Sequence, residues 1–234
     1  MTTAFPPRTS GIKSERLKRR LIFHHLPLSA GSTGAVLLLY FTRPYPDFWM
    51  KASFSTAYPA LFLLLLTLVI GPLRVLTGMR NPISSDLRRD TGIWAGILGI
   101  AHSIIGQNVH LRGRPWLYYV YEQREHHSMP LRHDLFGFAN YTGLVCILIV
   151  TALLASSNDY SLRKLGTPQW KKLQRWNYAA FSLGAAHAIG YLIIEHQHVS
   201  FVLVILSGIG TTLVMQTVGY FFRRGRLSRA LPAR

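Results

Sequence analysis

The sequence predicts an all-α polytopic membrane protein. Of its 234 residues 49% are apolar and 15% are charged, and the apolar residues come in long blocks, not in amphipathic stripes. A helix needs about 20 mostly apolar residues to cross the hydrocarbon core of a bilayer. Six blocks approach that length, so we expect a bundle of six transmembrane helices that forms one membrane domain over residues 22–222. Basic tails at 1–21 and 223–234 flank it.

The six expected spans differ in how clearly the sequence marks them. The second contains the run LFLLLLTLVI and is unambiguous. The first is the weakest, because Pro27 and several Gly and Ser residues interrupt it. In chain order, we expect spans at residues 22–42, 57–77, 92–111, 133–155, 176–196 and 200–222.

The net charge of +17 follows the expected loops and does not indicate a nucleic-acid-binding protein. The two tails and the second and fourth loops hold 20 of the 26 Lys and Arg residues, and all four face one side if six helices span. Cytoplasmic segments of membrane proteins are enriched in Lys and Arg. We therefore expect both termini in the cytoplasm, with membrane lipid around the bundle and no nucleic acid bound. The basic loops could in addition dock an acidic partner or anionic lipid.

Two histidines lie inside the expected spans, His102 in GIWAGILGIAHSIIG and His187 in NYAAFSLGAAHAIGYLII. An ionisable side chain at membrane depth is costly, so its default interpretation is functional. His102 follows Arg89 by 13 residues, and His187 follows Gln174 by the same interval. At 1.5 Å per residue both imidazoles lie roughly 20 Å along their helices. Two imidazoles at one depth can hold a single metal centre between them.

Small residues share the helix faces of the two histidines. Such faces either make room for a flat ligand or let helices pack closely, as the Gly92–Gly96 pair would. Taken singly, each histidine could equally be a hydrogen-bonded structural residue. The residues on these faces are Ala95, Gly99 and Gly106 for His102, and Ala180, Gly184, Gly190 and Tyr191 for His187.

The ligand types favour haem over a protein-only metal site. A closed zinc site needs four ligands, and no Asp, Glu or Cys is expected at the depth of the two histidines. A haem supplies four nitrogens itself and needs only axial ligands. The sequence has no C-x-x-C-H attachment motif, so the haem would be a noncovalent haem b. We expect the lone Cys146 to be a packing residue.

Two segments resemble the ferric reductase-like transmembrane domain family. NPISSDLRRDTGIWAGILGIAHSI is similar to its third helix, with an Arg-Arg pair followed by a Gly and a His. LLASSNDYSLRKLGTPQWKKLQRWNYAAFSLGAAHAIGY is similar to the end of its fourth helix, the following loop and its fifth helix. Within this superfamily, the chain most resembles the haem-binding membrane subunits of bacterial periplasmic methionine sulfoxide reductase systems, over roughly residues 57–222.

The resemblance implies an electron-transfer protein of the bacterial inner membrane. His102 and His187 match the family's haem-ligand positions, and electrons would pass to a periplasmic acceptor such as a separate reductase subunit. Many relatives have a further histidine where this sequence has Gln174, so we expect one haem. The sequence has no Gly-rich dinucleotide-binding motif, so the electron donor would be a cytoplasmic flavoprotein or a membrane quinol.

The expected outer side of the membrane is rich in histidine. His126, His127 and His133, with His196 or His198 nearby, predict a weak outer metal site, because imidazole binds first-row metals. The alternative is a solvated loop that docks a periplasmic partner through its Tyr and Trp side chains. Two further function classes stay open: a single-haem ferric or cupric metalloreductase, and a haem-free structural or transport protein.

Overall fold

The computed structural model describes residues 9–78, 86–111, 113–123 and 127–230. These residues are mostly helical, in agreement with the expected fold class. The helices are α1 (Thr9–Arg20), α2 (Leu26–Thr42), α3 (Phe48–Leu76), α4 (Asp86–Gly106), α5 (Leu135–Ala155), α6 (Asp159–Gln174), α7 (Asn177–Ile194) and α8 (Val199–Ala230). A π-helical turn, Leu21–His25, joins α1 to α2, and a short 3₁₀ helix, Pro115–Tyr118, precedes α5.

Five helices in the described part of the chain are long and apolar enough to cross a membrane. They correspond to five of the six expected spans. The helix that falls short is α4, because Asp86, Arg88, Arg89 and Asp90 occupy its first two turns. The five are Ser14–Thr42, Phe48–Leu76, Leu135–Ala155, Asp159–Ile194 and Val199–Arg226.

Several boundaries differ from those expected: the first span is part of a helix that begins before residue 22, and the third begins at Asp86 instead of near residue 92. The second span begins at Phe48 and not near residue 57, because the Asp47 side chain caps it by accepting a hydrogen bond from the Met50 N–H at 2.8 Å. The connection between the fourth and fifth spans contains the helix α6. Its N-terminus is capped by Asn158, and the non-helical backbone of Gly166, at φ 72°, divides α6 into two helical segments that meet at a kink.

The long helix α3 lies at the centre of the bundle and packs against α2, α4 and α8, while α5 packs along α7 and touches α4. Leu63 and Leu64 of α3 contact Ala95 of α4, and Leu68 of the same helix contacts Phe181 of α7. Large apolar side chains also cover the outside of the bundle, which suits a lipid environment. Examples are Leu38, Phe41, Phe62, Leu148, Leu203 and Val214.

The helices alternate in direction, and the two ends of the bundle differ. At one end α4 and α7 finish, and α3, α5 and α8 begin. Residues 107–134 lie there and include an isolated antiparallel bridge between Val120 and Leu131, so we call it the hairpin end. The opposite end carries α1 and α6, and we call it the tail end.

Ion pairs connect the helices at the tail end. Arg16 and Arg20 of α1 each form two hydrogen bonds with an aspartate of α4, Asp86 and Asp90 respectively. Arg89 of α4 donates to Asp159 of α6 at 2.7 Å. The N-terminal basic segment is therefore packed onto the bundle, at least from Arg16 onwards.

Candidate functional site

The structure brings His102 of α4 and His187 of α7 together in the middle of the bundle. Their ring centroids lie 6.1 Å apart, and the two ring planes are inclined by 72°. Among the described residues, no hydrogen bond joins the two rings directly, so such a bond does not explain why they lie close together. The matched depth expected from the sequence is therefore confirmed in three dimensions.

Each imidazole is oriented by a backbone carbonyl on a neighbouring helix. The His102 Nδ1 lies 3.1 Å from the Ser53 carbonyl oxygen of α3, and the His187 Nδ1 lies 2.8 Å from the Ala139 carbonyl oxygen of α5. A carbonyl oxygen can only accept, so each Nδ1 carries the proton. The Nε2 of each neutral ring then keeps its lone pair, the arrangement in which histidine binds a metal.

Both rings line a cavity of about 250 Å³. Five small or aromatic residues expected on the histidine faces also line it: Ala95, Gly99, Gly106, Gly184 and Tyr191. Two others expected there do not. The Ala180 carbonyl oxygen accepts from the thiol of Cys146, a residue that does line the cavity, at 3.3 Å, and Gly190 packs closely against Ala139. The hydrogen bond to Ala180 agrees with a packing role for the thiol.

Sequence reasoning missed the residues of α3 and α5 that complete the site. Besides Ser53 and Ala139, Gly143 of α5 lies directly against His187. A Cβ atom at Gly143 would lie 2.5 Å from the His187 Nδ1, so only glycine leaves room for this ring position. No local sequence pattern marks Gly143, because its importance depends on how α5 packs against α7.

The donor set suits a macrocyclic metal group and not a bare ion. In the described ranges, no group of three or more His, Cys, Asp or Glu residues is placed to hold a metal ion. Two imidazoles with free Nε2 atoms could supply two ligands to one metal, and a ring such as a porphyrin would supply the others. The mainly apolar walls and the glycine that makes space at His187 fit a flat, bulky group.

The hairpin end of the cavity is polar. Tyr45 and Gln197 exchange hydrogen bonds there at 3.0 and 3.3 Å, and the His110 Nε2 lies 3.1 Å from Glu195 Oε1. The Gln107 Nε2 donates to the Tyr119 hydroxyl at 3.2 Å. These side chains form the mouth of the cavity, which we define as Tyr45, Gln107, His110, Glu195 and Gln197.

Only part of the expected outer metal site falls within the described residues. The His127 ring stacks on Tyr121 at 3.5 Å, and its centroid lies 6.1 Å from that of His133. His126 lies outside the described residues, so the three-histidine site stays a prediction.

Asp134 stabilises the nearby loop through its hydrogen bonds. Burial alone would raise the pKa of this carboxyl, but hydrogen bonds from Arg132 and the Gly137 N–H hold the pKa below its ordinary value.

A second cavity, of about 610 Å³, opens at the tail end. Its described lining residues include Arg89, Gln174 and Asn177 but no histidine. The Gln174 amide, which stands where many relatives are expected to have a histidine, approaches the Ser156 hydroxyl at 3.5 Å. This cavity therefore offers no imidazole ligand from the described residues.

The comparison with known proteins decides the family. Two proteins named protein-methionine-sulfoxide reductase heme-binding subunit MsrQ, from Bordetella pertussis and Bordetella parapertussis, are each 30% identical to this chain over 187 residues. The match covers 73% of this chain and 79% of each relative. The chain belongs to the MsrQ family.

Membership in the MsrQ family confirms the resemblance expected from the sequence. No family model matches the chain, and no solved structure matches it. The printed name describes the two Bordetella relatives as haem-binding subunits of a methionine sulfoxide reductase. The all-helical fold with five apolar helices agrees with a membrane subunit.

Proposed function

We propose that this protein is a haem b-binding membrane subunit that passes electrons across the bacterial inner membrane to a separate periplasmic methionine sulfoxide reductase. The observation that carries the proposal is the pair His102 and His187, whose ring centroids lie 6.1 Å apart. The names of the MsrQ relatives supply the reductase system. When bound, the haem accepts and donates single electrons.

His102 and His187 would hold the haem iron through their Nε2 atoms. Metal–imidazole bonds of about 2 Å bring two rings on one metal to centroid separations on the order of 6 Å, close to the spacing found. The carbonyls of Ser53 and Ala139 fix each ring's tautomer and orientation. Hydrogen bonding at the outer nitrogen also makes the ligating nitrogen more basic. The mainly apolar cavity walls would give the ligands a surrounding of low polarity.

We further propose that α4 is the sixth span. Its 21 residues extend about 31 Å, enough to cross the hydrocarbon core. The charged side chains of its first turns are paired at the tail end, where Asp86 and Asp90 contact arginines of α1. With six spans both termini lie on one side, and the basic tails place the tail end in the cytoplasm.

We expect each chain to bind one haem. The second cavity has no histidine among its described lining residues, and Gln174 is a poor ligand for haem iron. Pyridine-haemochrome and iron analysis of the purified, haem-loaded protein should each give one equivalent per chain. Values near two would show that the tail end holds a second haem and that this interpretation of Gln174 is wrong.

The electron donor and acceptor would be separate molecules. A cytoplasmic flavoprotein or a membrane quinol would supply electrons at the tail end, and the reductase would take them at the hairpin end. The second candidate function is direct reduction of ferric or cupric ions. The observation that favours this second candidate is the proximity of His127 and His133, two residues that can bind metal ions, at the hairpin end.

A reoxidation experiment tests the function and separates the two candidates. The haem-loaded protein is reduced in liposomes with dithionite, the excess is removed, and reoxidation of the haem is followed by absorbance. Rapid reoxidation by the organism's periplasmic methionine sulfoxide reductase with methionine sulfoxide, but not by the sulfoxide alone, supports the proposal. Reoxidation by ferric or cupric ions, and none by the reductase, would favour the metalloreductase.

The Gly143→Ala substitution should weaken haem binding. The new Cβ would lie 2.5 Å from the His187 Nδ1, so the ring must turn away and lose its hydrogen bond to Ala139. We expect the haem content of the purified protein to fall severalfold. Gly210→Ala is the matched control, because a Cβ at Gly210 meets no atom within 4 Å. Equal haem contents in the two variants would contradict the proposed position of His187.

A further inference from the structure

We propose that the mouth of the His102–His187 cavity binds the two carboxylates of the haem and so sets the orientation of the haem in the protein. The inference rests on the proposed function and deepens it. It assigns a role to Gln107, a residue that neither the sequence analysis nor the ligand geometry requires.

The cavity, like the haem, is apolar over most of its surface and polar at one edge. Its middle is lined by apolar side chains such as Leu64, Ala95 and Ile147, whereas the mouth at the hairpin end is polar. Haem carries both carboxylates on one edge of an otherwise apolar ring. Burying that edge among apolar side chains would leave the carboxylates without hydrogen bonds, which is costly. The haem would therefore bind with its carboxylate edge toward the polar mouth and its apolar ring between the apolar side chains.

The mouth lies at a suitable distance from the two imidazoles. Gln107 follows His102 by five residues, which is about 7–8 Å along the helix axis. Glu195 follows His187 by eight residues, or about 12 Å by the same measure. The mouth is therefore one to two helical turns beyond the ligands on both helices. A group centred between the imidazoles would extend its edge in that direction.

Gln107 supplies the observation that points to a ligand. Its Oε1 is buried and accepts no hydrogen bond from the residues that the structure describes. Its amide oxygen and nitrogen are interchangeable by a 180° flip of the side-chain amide. Gln107 lines the cavity, and in the flipped form its Oε1 accepts from the Tyr119 hydroxyl while its Nε2 group becomes the buried donor without a described partner. A carboxylate is the acceptor that this donor lacks.

The remaining mouth residues are compatible with an anionic edge. The one carboxylate of the mouth, Glu195, already has His110 as a partner at 3.1 Å. The Tyr45–Gln197 pair adds a hydroxyl and an amide that can donate. Tyr45, Gln107 and Gln197 are uncharged donors, so they can accommodate carboxylates without an ion pair, and the carboxylates can stay accessible to solvent at the hairpin end.

The test compares haem with its dimethyl ester, in which both carboxylates are blocked. The apo protein in detergent is titrated with each compound, and binding is followed by the Soret absorbance. The wild-type protein should bind haem more tightly than the ester. Gln107→Leu should reduce that preference about tenfold, the loss expected for one hydrogen bond to a charged group. Gln107→Glu, which is nearly isosteric, should reduce it further or reverse it by repelling the carboxylates.

Asn108→Leu is the matched control. Asn108 neighbours Gln107, but its amide donates to the Ile104 carbonyl oxygen and does not line the cavity, so the preference should stay at the wild-type value. Equal wild-type affinities for haem and ester would overturn the inference while leaving haem binding intact. An unchanged preference in both Gln107 variants would do the same. Failure of the wild-type protein to bind either compound would overturn the proposed function as well.

Discussion

Alanine in place of His102 or His187 should abolish the low-spin b-type spectrum of the purified protein. The two imidazoles are 6.1 Å apart, and each would supply one of the two axial ligands. Removing either one leaves at most one ligand, so bound haem should become high-spin and easily lost. Reduced-minus-oxidised absorbance spectra and pyridine-haemochrome analysis measure both changes. We expect haem contents below about a tenth of the wild-type value, which corresponds to roughly 1.4 kcal/mol or more of binding free energy.

His198→Ala is the control for this pair of substitutions. His198 is exposed at the hairpin end, where its Nδ1 contacts the Ser200 hydroxyl at 2.9 Å, and it does not line the cavity. Its haem spectrum and content should match those of the wild-type protein. A low-spin spectrum retained by either His102→Ala or His187→Ala would show that the ligand lies elsewhere, and one retained by both would reject the site.

The histidine pair could be found from the sequence because the bilayer makes such residues conspicuous. An imidazole inside an apolar block is rare, and the equal interval of 13 residues from Arg89 to His102 and from Gln174 to His187 predicts that the two lie at one depth. Their partners could not be found in this way. The Ser53 carbonyl is 49 residues from His102 and the Ala139 carbonyl is 48 residues from His187 in the chain. Backbone acceptors carry no sequence signal, so only helix packing reveals them.

Helical periodicity predicted part of the cavity wall and was wrong for the rest. Gly99 and Gly184 line the cavity as expected, because each lies within one turn of its histidine. Ala180 does not line the cavity, although Ala95, at the same seven-residue distance from His102, does; Ala180 is fully buried, and its carbonyl oxygen accepts from the Cys146 thiol. Gly190 is only three residues away, but its position on the helix turns it toward Ala139. A shared face is therefore necessary for lining the site but not sufficient.

The tail end was harder to predict than the site. The basic residues near the N-terminus were interpreted as a cytoplasmic tail, and the first span was expected to begin at residue 22. The structure instead continues the helix from Thr9 through the π-helical turn Leu21–His25. Arg16 and Arg20 find acidic partners on α4, 70 residues away in the chain. Such long-range pairs depend on the tertiary fold and leave no local pattern.

Replacing Arg20 by leucine should strongly destabilise the protein, because it leaves a buried charge without its main partner. The Asp90 side chain has 0% exposure and that of Arg20 12%, and the guanidinium forms two hydrogen bonds with the carboxylate. The π-helical turn also brings His24 Nδ1 to 2.7 Å and His25 Nε2 to 3.3 Å from the same carboxylate. Breaking a buried ion pair by removing one partner typically costs about 3–5 kcal/mol. The two histidines should reduce that cost toward its lower limit.

Two comparison variants separate the buried charge from a general loss of contact between α1 and α4. Arg16→Leu removes the neighbouring pair with Asp86, whose side chains are 55% and 29% exposed, and should cost about 1 kcal/mol or less. The double variant Arg20→Leu/Asp90→Asn replaces the orphaned carboxylate by a neutral amide and should recover much of the lost stability. Thermal unfolding in detergent measures all three variants. If Arg20→Leu destabilises no more than Arg16→Leu, or if the Asp90→Asn change gives no recovery, the buried carboxylate does not depend on Arg20. The stability of the tail end would then come from the apolar contacts of α2 and the π-helical turn with α3 and α4.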